Sequence, residues 1–114
     1  MHGSHGRSHK YAGPAKALVL LDFYADWCAP CRLVSPLLAE LAHEFKEKTR
    51  LVEVNVDTES EMVNKYGVYS IPTIVFVQNG HETHRIIGAK TKNQYRNAIV
   101  KLLQNKRRAK SSSS

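Results

Sequence analysis

Leu18-Val19-Leu20-Leu21-Asp22-Phe23-Tyr24 is a strand-like run that is apolar on both alternating faces, interrupted by a single carboxylate. A strand with two apolar faces belongs inside a sheet covered on both sides, as when helices pack above and below it. The rest of the chain keeps to that plan. From Arg32 the positions Val34, Leu37, Leu38, Leu41, Ala42 and Phe45 recur at helical spacing and form one apolar stripe. Pro36 falls inside this helix, removes one backbone donor and is expected to kink it. Leu51–Val56 reads as a second strand, after which Asp57 and Thr58 introduce a short helix. Thr58 and Glu61 have capping-box spacing, Met62, Val63 and Tyr66 supply the apolar face, and Gly67 ends the helix.

Thr73–Val77 is the third strand, joined through Asn79-Gly80 to a fourth around Thr83–Ile87; Asn-Gly between two such runs is a strong hairpin signal. Thr91 with Gln94 opens the last helix, whose apolar residues are Tyr95, Ala98, Ile99, Leu102 and Leu103. The order is β-α-β-α-β-β-α, with no internal repeat. The βαβ start implies a parallel pair and the terminal hairpin an antiparallel one. The expected class is α/β: a mixed sheet of about four strands flanked by helices.

At 114 residues the chain has material for one core. Its formal charge of +7 would suit nucleic acid if it lay on the folded part. It does not. Arg7, Lys10 and Lys16 precede the first strand, and Lys106, Arg107, Arg108 and Lys110 follow the last helical stripe, so residues 18–105 hold ten basic and ten acidic residues. No specific nucleic-acid partner is expected, and the positive charge closing the last helix complements its dipole. Residues 1–16 read as a disordered tail, 17–105 as the domain, and 106–114 as a basic, Ser-rich disordered tail. His2, His5 and His9 in the leader offer at most weak metal binding. No segment approaches the ~20 apolar residues of a membrane span, and Ala17–Leu21 is too short for a signal-peptide core.

Both cysteines of the chain lie in Trp27-Cys28-Ala29-Pro30-Cys31, between the first strand and the first helix. Two thiols this close can pass between dithiol and disulfide without remodelling the fold. Cys28, at the mouth of the turn, meets a helix N-terminus, which supports a thiolate, so it is the expected nucleophile. Cys31, one helical turn further in, is suited to resolving a mixed disulfide. Pro30 fits the first helical turn, where its missing donor costs nothing. Trp27 is expected to cover one flank. A zinc site would need two more ligands, which only tail histidines could supply, and so short a disulfide loop removes little unfolded-state entropy. These counts favour redox chemistry.

The stretch Asp22-Phe23-Tyr24-Ala25-Asp26-Trp27-Cys28-Ala29-Pro30-Cys31-Arg32, then Pro36, Asn55-Val56-Asp57, Tyr66-Gly67-Val68, Ser70-Ile71-Pro72-Thr73, Asn79-Gly80 and Gly88, resembles the thioredoxin family over about residues 18–105. The resemblance implies a thioredoxin-like fold and reduction of protein disulfides by a redox-active pair, with no bound cofactor. Electrons would come from NADPH through thioredoxin reductase. It makes Cys28 the attacking and Cys31 the resolving cysteine, and Pro72 the family's cis-proline, with the backbone at Ile71 open to an extended substrate. It makes Asp22 the family's buried acid. Burial of a carboxylate in an apolar run raises its pKa, which would let it take the proton of Cys31.

Four departures stand out. Ala29 replaces the usual glycine and should stiffen the turn. Tyr24 stands where many members have tryptophan. Glu53 lies where many bacterial members carry lysine, and near Asp22 it would raise the proton affinity of the pair. The strand and helix that usually precede the Leu18 strand are missing from residues 1–17, which suggests a domain trimmed toward the four-strand core shared with glutaredoxins. The expectation is a monomeric, cytoplasmic protein, and the resemblance makes it a reductase acting on disulfide-containing proteins. The alternatives are a thioredoxin-like binding or tethering module, an isomerase, which would more often place histidine before the second cysteine, and a glutaredoxin, which would carry an aromatic residue in the motif.

Overall fold

The computed structural model describes residues 17–112. Leu18–Tyr24 (β1) is an inner strand of a four-stranded sheet. Thr49–Asn55 (β2) runs parallel to it on one side, and Thr73–Gln78 (β3) antiparallel on the other. His81–Ile87 (β4) pairs antiparallel with β3 and completes the order β2-β1-β3-β4. Ala29–Glu44 (α1), Ser60–Tyr66 (α2) and Lys92–Ser112 (α3) are the helices. The β-α-β-α-β-β-α order and the mixed sheet are therefore as the sequence pattern implies.

The alternation of β1 explains why it is apolar throughout. Leu18 and Leu20 join Val34, Leu38 and Leu41 of α1, Ile74 and Phe76 of β3, and Tyr95, Ile99 and Leu102 of α3 in one core. Leu21 and Phe23 point the other way, into a second core with Val52, Val54, Val75 and Val77, against which Met62, Val63 and Tyr66 of α2 pack. Burial of each such side chain contributes about 1.5–3 kcal/mol, so neither face of β1 tolerates a polar residue lightly. Asp22 shares the parity of Leu18 and Leu20, which directs its carboxyl toward the face that α1 covers. Lys92–Glu40 at 2.6 Å and Arg96–Glu44 at 2.8 Å tie α3 to α1 at the surface.

Boundaries differ from the sequence reading where caps decide them. α1 begins at Ala29 and not near Arg32, because Cys28 serves as its N-cap. Pro36 is accommodated inside a helix that continues to Glu44. The N-cap of α2 is Glu59, with no side-chain cap bond, so the expected Thr58–Glu61 box does not form. Asn55 organises that turn instead: its Oδ1 accepts from the Asp57 amide at 2.9 Å, and its carbonyl accepts from Thr58 Oγ1 at 3.4 Å. The C-cap is the expected Gly67, left-handed at φ 60°. Asn79 (φ 53°) and Gly80 (φ 82°) form the hairpin turn. Thr91 and Gln94 make the reciprocal cap of α3, with Thr91 N to Gln94 Oε1 at 3.0 Å and Gln94 N to Thr91 Oγ1 at 3.1 Å. α3 runs to Ser112, past the boundary expected at residue 105, through lysine, arginine and alanine, all good helix formers. The leader 1–16, and with it the question of a preceding strand and helix, lies outside the described residues. Among the described residues no helix is long and apolar enough to cross a membrane.

Candidate active site

The turn leaving β1 delivers both cysteines to the start of α1. They form a disulfide with Cα atoms 5.3 Å apart. Cys28, extended at φ −93° and ψ 104°, caps the helix: its Sγ accepts from the Cys31 amide at 3.3 Å. A sulfur held there faces the free amides and the positive end of the helix dipole, the surroundings that lower a thiol's pKa. No acidic residue occupies the first turn to oppose this, and Pro30 lies within it. Cys31 is the more buried of the two, 1% exposed against 5% for Cys28.

Asp22 lies under α1, wholly buried. Its Oδ2 accepts a 2.6 Å hydrogen bond from Ser35 Oγ, and among the described residues its Oδ1 has no hydrogen-bond partner. Burial raises its pKa from 3.8 to about 6; the Ser35 bond opposes the rise, and the negative charge of Glu53 adds to it. Glu53 reaches this neighbourhood because it faces Asp22 in the parallel β1–β2 register. A cleft of about 350 Å³ opens beside the pair, with Cys31, Ser35, Glu53, Asp26 and Arg32 among its lining.

Trp27 is 66% exposed, and its indole Nε1 donates to Asp57 Oδ2 at 3.0 Å. The ring is thereby tethered to the loop after β2. On another side, Ile71 packs on the cluster of Ala25, Cys28 and Cys31. The Ile71–Pro72 peptide is cis. Gly88, at φ 93°, donates its amide to the Pro72 carbonyl at 2.8 Å and presents no side chain there. Pro72, from the loop before β3, and Gly88, from the end of β4, are thus bonded neighbours, with Ile71 adjacent to the cysteines. Ala29 and Pro30 form the exposed first turn of α1. Tyr24 packs, partly buried, on the cysteine cluster.

Two residues escaped the sequence reading. Ser35 lies four positions after Cys31, on the same helix face, so its spacing was an available signal. Asp57 stood within a recognised stretch, but its bond to Trp27 spans 30 residues and carries no local signature. Among the described residues, no group of three or more His, Cys, Asp or Glu is arranged to hold a metal ion.

Comparison with known proteins decides the family, for the thioredoxin family model matches residues 9–101. The chain belongs to the thioredoxin family. It is 43% identical over 81 residues to the thioredoxin of Haemophilus influenzae, an alignment covering 71% of this chain and 76% of that one. It is 44% identical over 71 residues to Thioredoxin-T of Drosophila melanogaster, covering 62% of this thioredoxin but only 45% of that protein. The germline-specific thioredoxin Deadhead of the same fly superposes with a TM-score of 0.75 at 30% identity, covering 90% of this chain and 93% of that one. A thioredoxin with this cysteine pair is a thiol–disulfide oxidoreductase, with Cys28–Cys31 as its redox centre.

Proposed function

We propose that this thioredoxin reduces disulfides in protein substrates and is recharged by a thioredoxin-reductase-type donor that draws on NADPH. One observation carries the reading: Cys28 Sγ is the cap of α1, accepting from the Cys31 amide, so the sulfur nearer the surface is the one stabilised as a thiolate. In the dithiol form Cys28 attacks a substrate disulfide, and the first substrate sulfur leaves with the electron pair and takes a proton from water. Cys31 gives its proton to Asp22 and attacks Cys28 Sγ. The Cys28–Cys31 bond forms, the bond from Cys28 to the substrate breaks, and the second substrate sulfur leaves as a thiolate. Two electrons have then passed to the substrate.

Trp27, Ala29, Pro30, Ile71, Pro72 and Gly88 form the proposed substrate surface around Cys28. The backbone at Ile71 suits an extended peptide, which would bond to main chain as an added strand, with Gly88 leaving room beside it. The protein acts as a monomer in this reading, with no bound prosthetic group. The test is insulin reduction coupled to NADPH and thioredoxin reductase. Turnover by the wild type that is lost in Cys28→Ser supports the reading. An inactive wild type that still binds protein partners assigns the fold to a binding role.

A further inference from the structure

We propose that Ser35 is a positioning residue for Asp22, holding its carboxyl and serving as the port through which its proton reaches solvent. This rests on the reductase reading above. Asp22 is sealed from solvent, yet the acid must lose and regain a proton in every cycle. Ser35 touches both sides of that barrier: its Oγ lies 2.6 Å from Asp22 Oδ2, and it lines the cleft beside Cys31. The cleft is open to water, since Arg32 and Glu53 in its wall are exposed residues.

The proton path balances. When Cys31 resolves the mixed disulfide, its thiol proton moves to the Asp22 carboxylate. A serine hydroxyl is both donor and acceptor, so Ser35 Oγ takes the proton from Asp22 while releasing its own to water in the cleft. When the disulfide is reduced again, Ser35 first passes a proton from the same water to the Asp22 carboxylate, and the departing Cys31 sulfur takes that proton, leaving Asp22 ionised for the next cycle. An Asp22 pKa of about 6 in the disulfide form leaves the acid mainly ionised at neutral pH, so both transfers are needed.

The groups that act on Asp22 come from several elements. Glu53 on β2 raises its proton affinity. Tyr24 on β1 and Tyr95 on α3 both feel its charge, and the Tyr95 hydroxyl is held by the Lys90 amide at 3.1 Å and the Gly88 carbonyl at 3.3 Å. Ile74, its partner on β3, does not titrate. Of these, Ser35 alone is hydrogen-bonded to the carboxyl and also lines the cleft.

The experiment compares Ser35→Ala, Ser35→Thr and Asp22→Asn by carboxyl carbon NMR titration and by the pH profile of mixed-disulfide resolution. Alanine is the better helix former, so Ser35→Ala preserves α1. It is expected to raise the Asp22 pKa by roughly one pH unit and to slow resolution about tenfold, the worth of one hydrogen bond to a charged group. Ser35→Thr, which keeps the hydroxyl, stays close to wild type, and Ser35→Ala adds nothing in an Asp22→Asn background. A wild-type titration and pH profile in Ser35→Ala overturns the proposal and leaves the reductase reading intact. Failure of the wild type to reduce insulin contradicts that reading instead, and the carboxyl titration then decides the role of Ser35 by itself.

Discussion

Asp22 on β1 stands directly across the parallel ladder from Glu53 on β2, so two carboxylates share one face of the sheet beneath the redox pair. One is sealed and the other exposed. Burial first, and then the like charge opposite it, makes the buried member hold its proton to higher pH.

Stability should depend on pH through Asp22. Its folded pKa of about 6 lies above the ordinary 3.8. A raised acid contributes stability that is complete below about pH 4 and lost as pH rises through about 6, for a total of about 3 kcal/mol. Asp22→Asn removes this dependence. Urea denaturation of the disulfide form should find the variant more stable than wild type at about pH 8, by about 2 kcal/mol, with the advantage gone at about pH 4. Parallel curves for the two proteins contradict the assignment.

Glu53→Gln removes the like charge and should lower the Asp22 pKa, moving the pH profile of disulfide reduction toward acid. The shift is modest, because burial is the larger cause and remains. Carboxyl titration of the variant checks it. A profile identical to wild type dissociates Glu53 from the acid.

Asp57→Ala releases the indole of Trp27. An exposed hydrogen bond is worth about 0.5–1.5 kcal/mol, so KM for a protein substrate should rise about threefold with kcat nearly unchanged. Trp27 is the sole tryptophan, so its emission reports the release directly. The urea midpoint should barely move. A fall in kcat at constant KM would mean that Asp57 acts on the chemistry and not on the substrate surface.

Much of this was legible because it is written locally. The both-sided apolar run of β1, the Asn79-Gly80 turn and the Thr91–Gln94 cap each encode their structure within a few residues. The cysteine pair and its place at a helix start were equally plain, and the lone carboxylate in β1 marked itself by its surroundings. The Thr58 cap was misread because Asn55, three residues earlier, captures the turn with its side-chain oxygen and its main-chain carbonyl. Ser35 and Asp57 gained their importance from partners 13 and 30 residues away, which only the packing of α1 on β1 and the path of the loop after β2 could reveal.

The direction of electron flow rests on Pro30, Asp22 and the capped sulfur of Cys28, and it reduces to one quantity. Equilibrating the protein with glutathione or dithiothreitol buffers of known ratio, then trapping free thiols, gives the reduction potential of the Cys28–Cys31 pair. The account predicts a value near the approximately −270 mV of thioredoxins, with Ala29 shifting it only modestly. A value of about −120 to −180 mV would place the protein among disulfide oxidants and isomerases and contradict its assignment as a reductase.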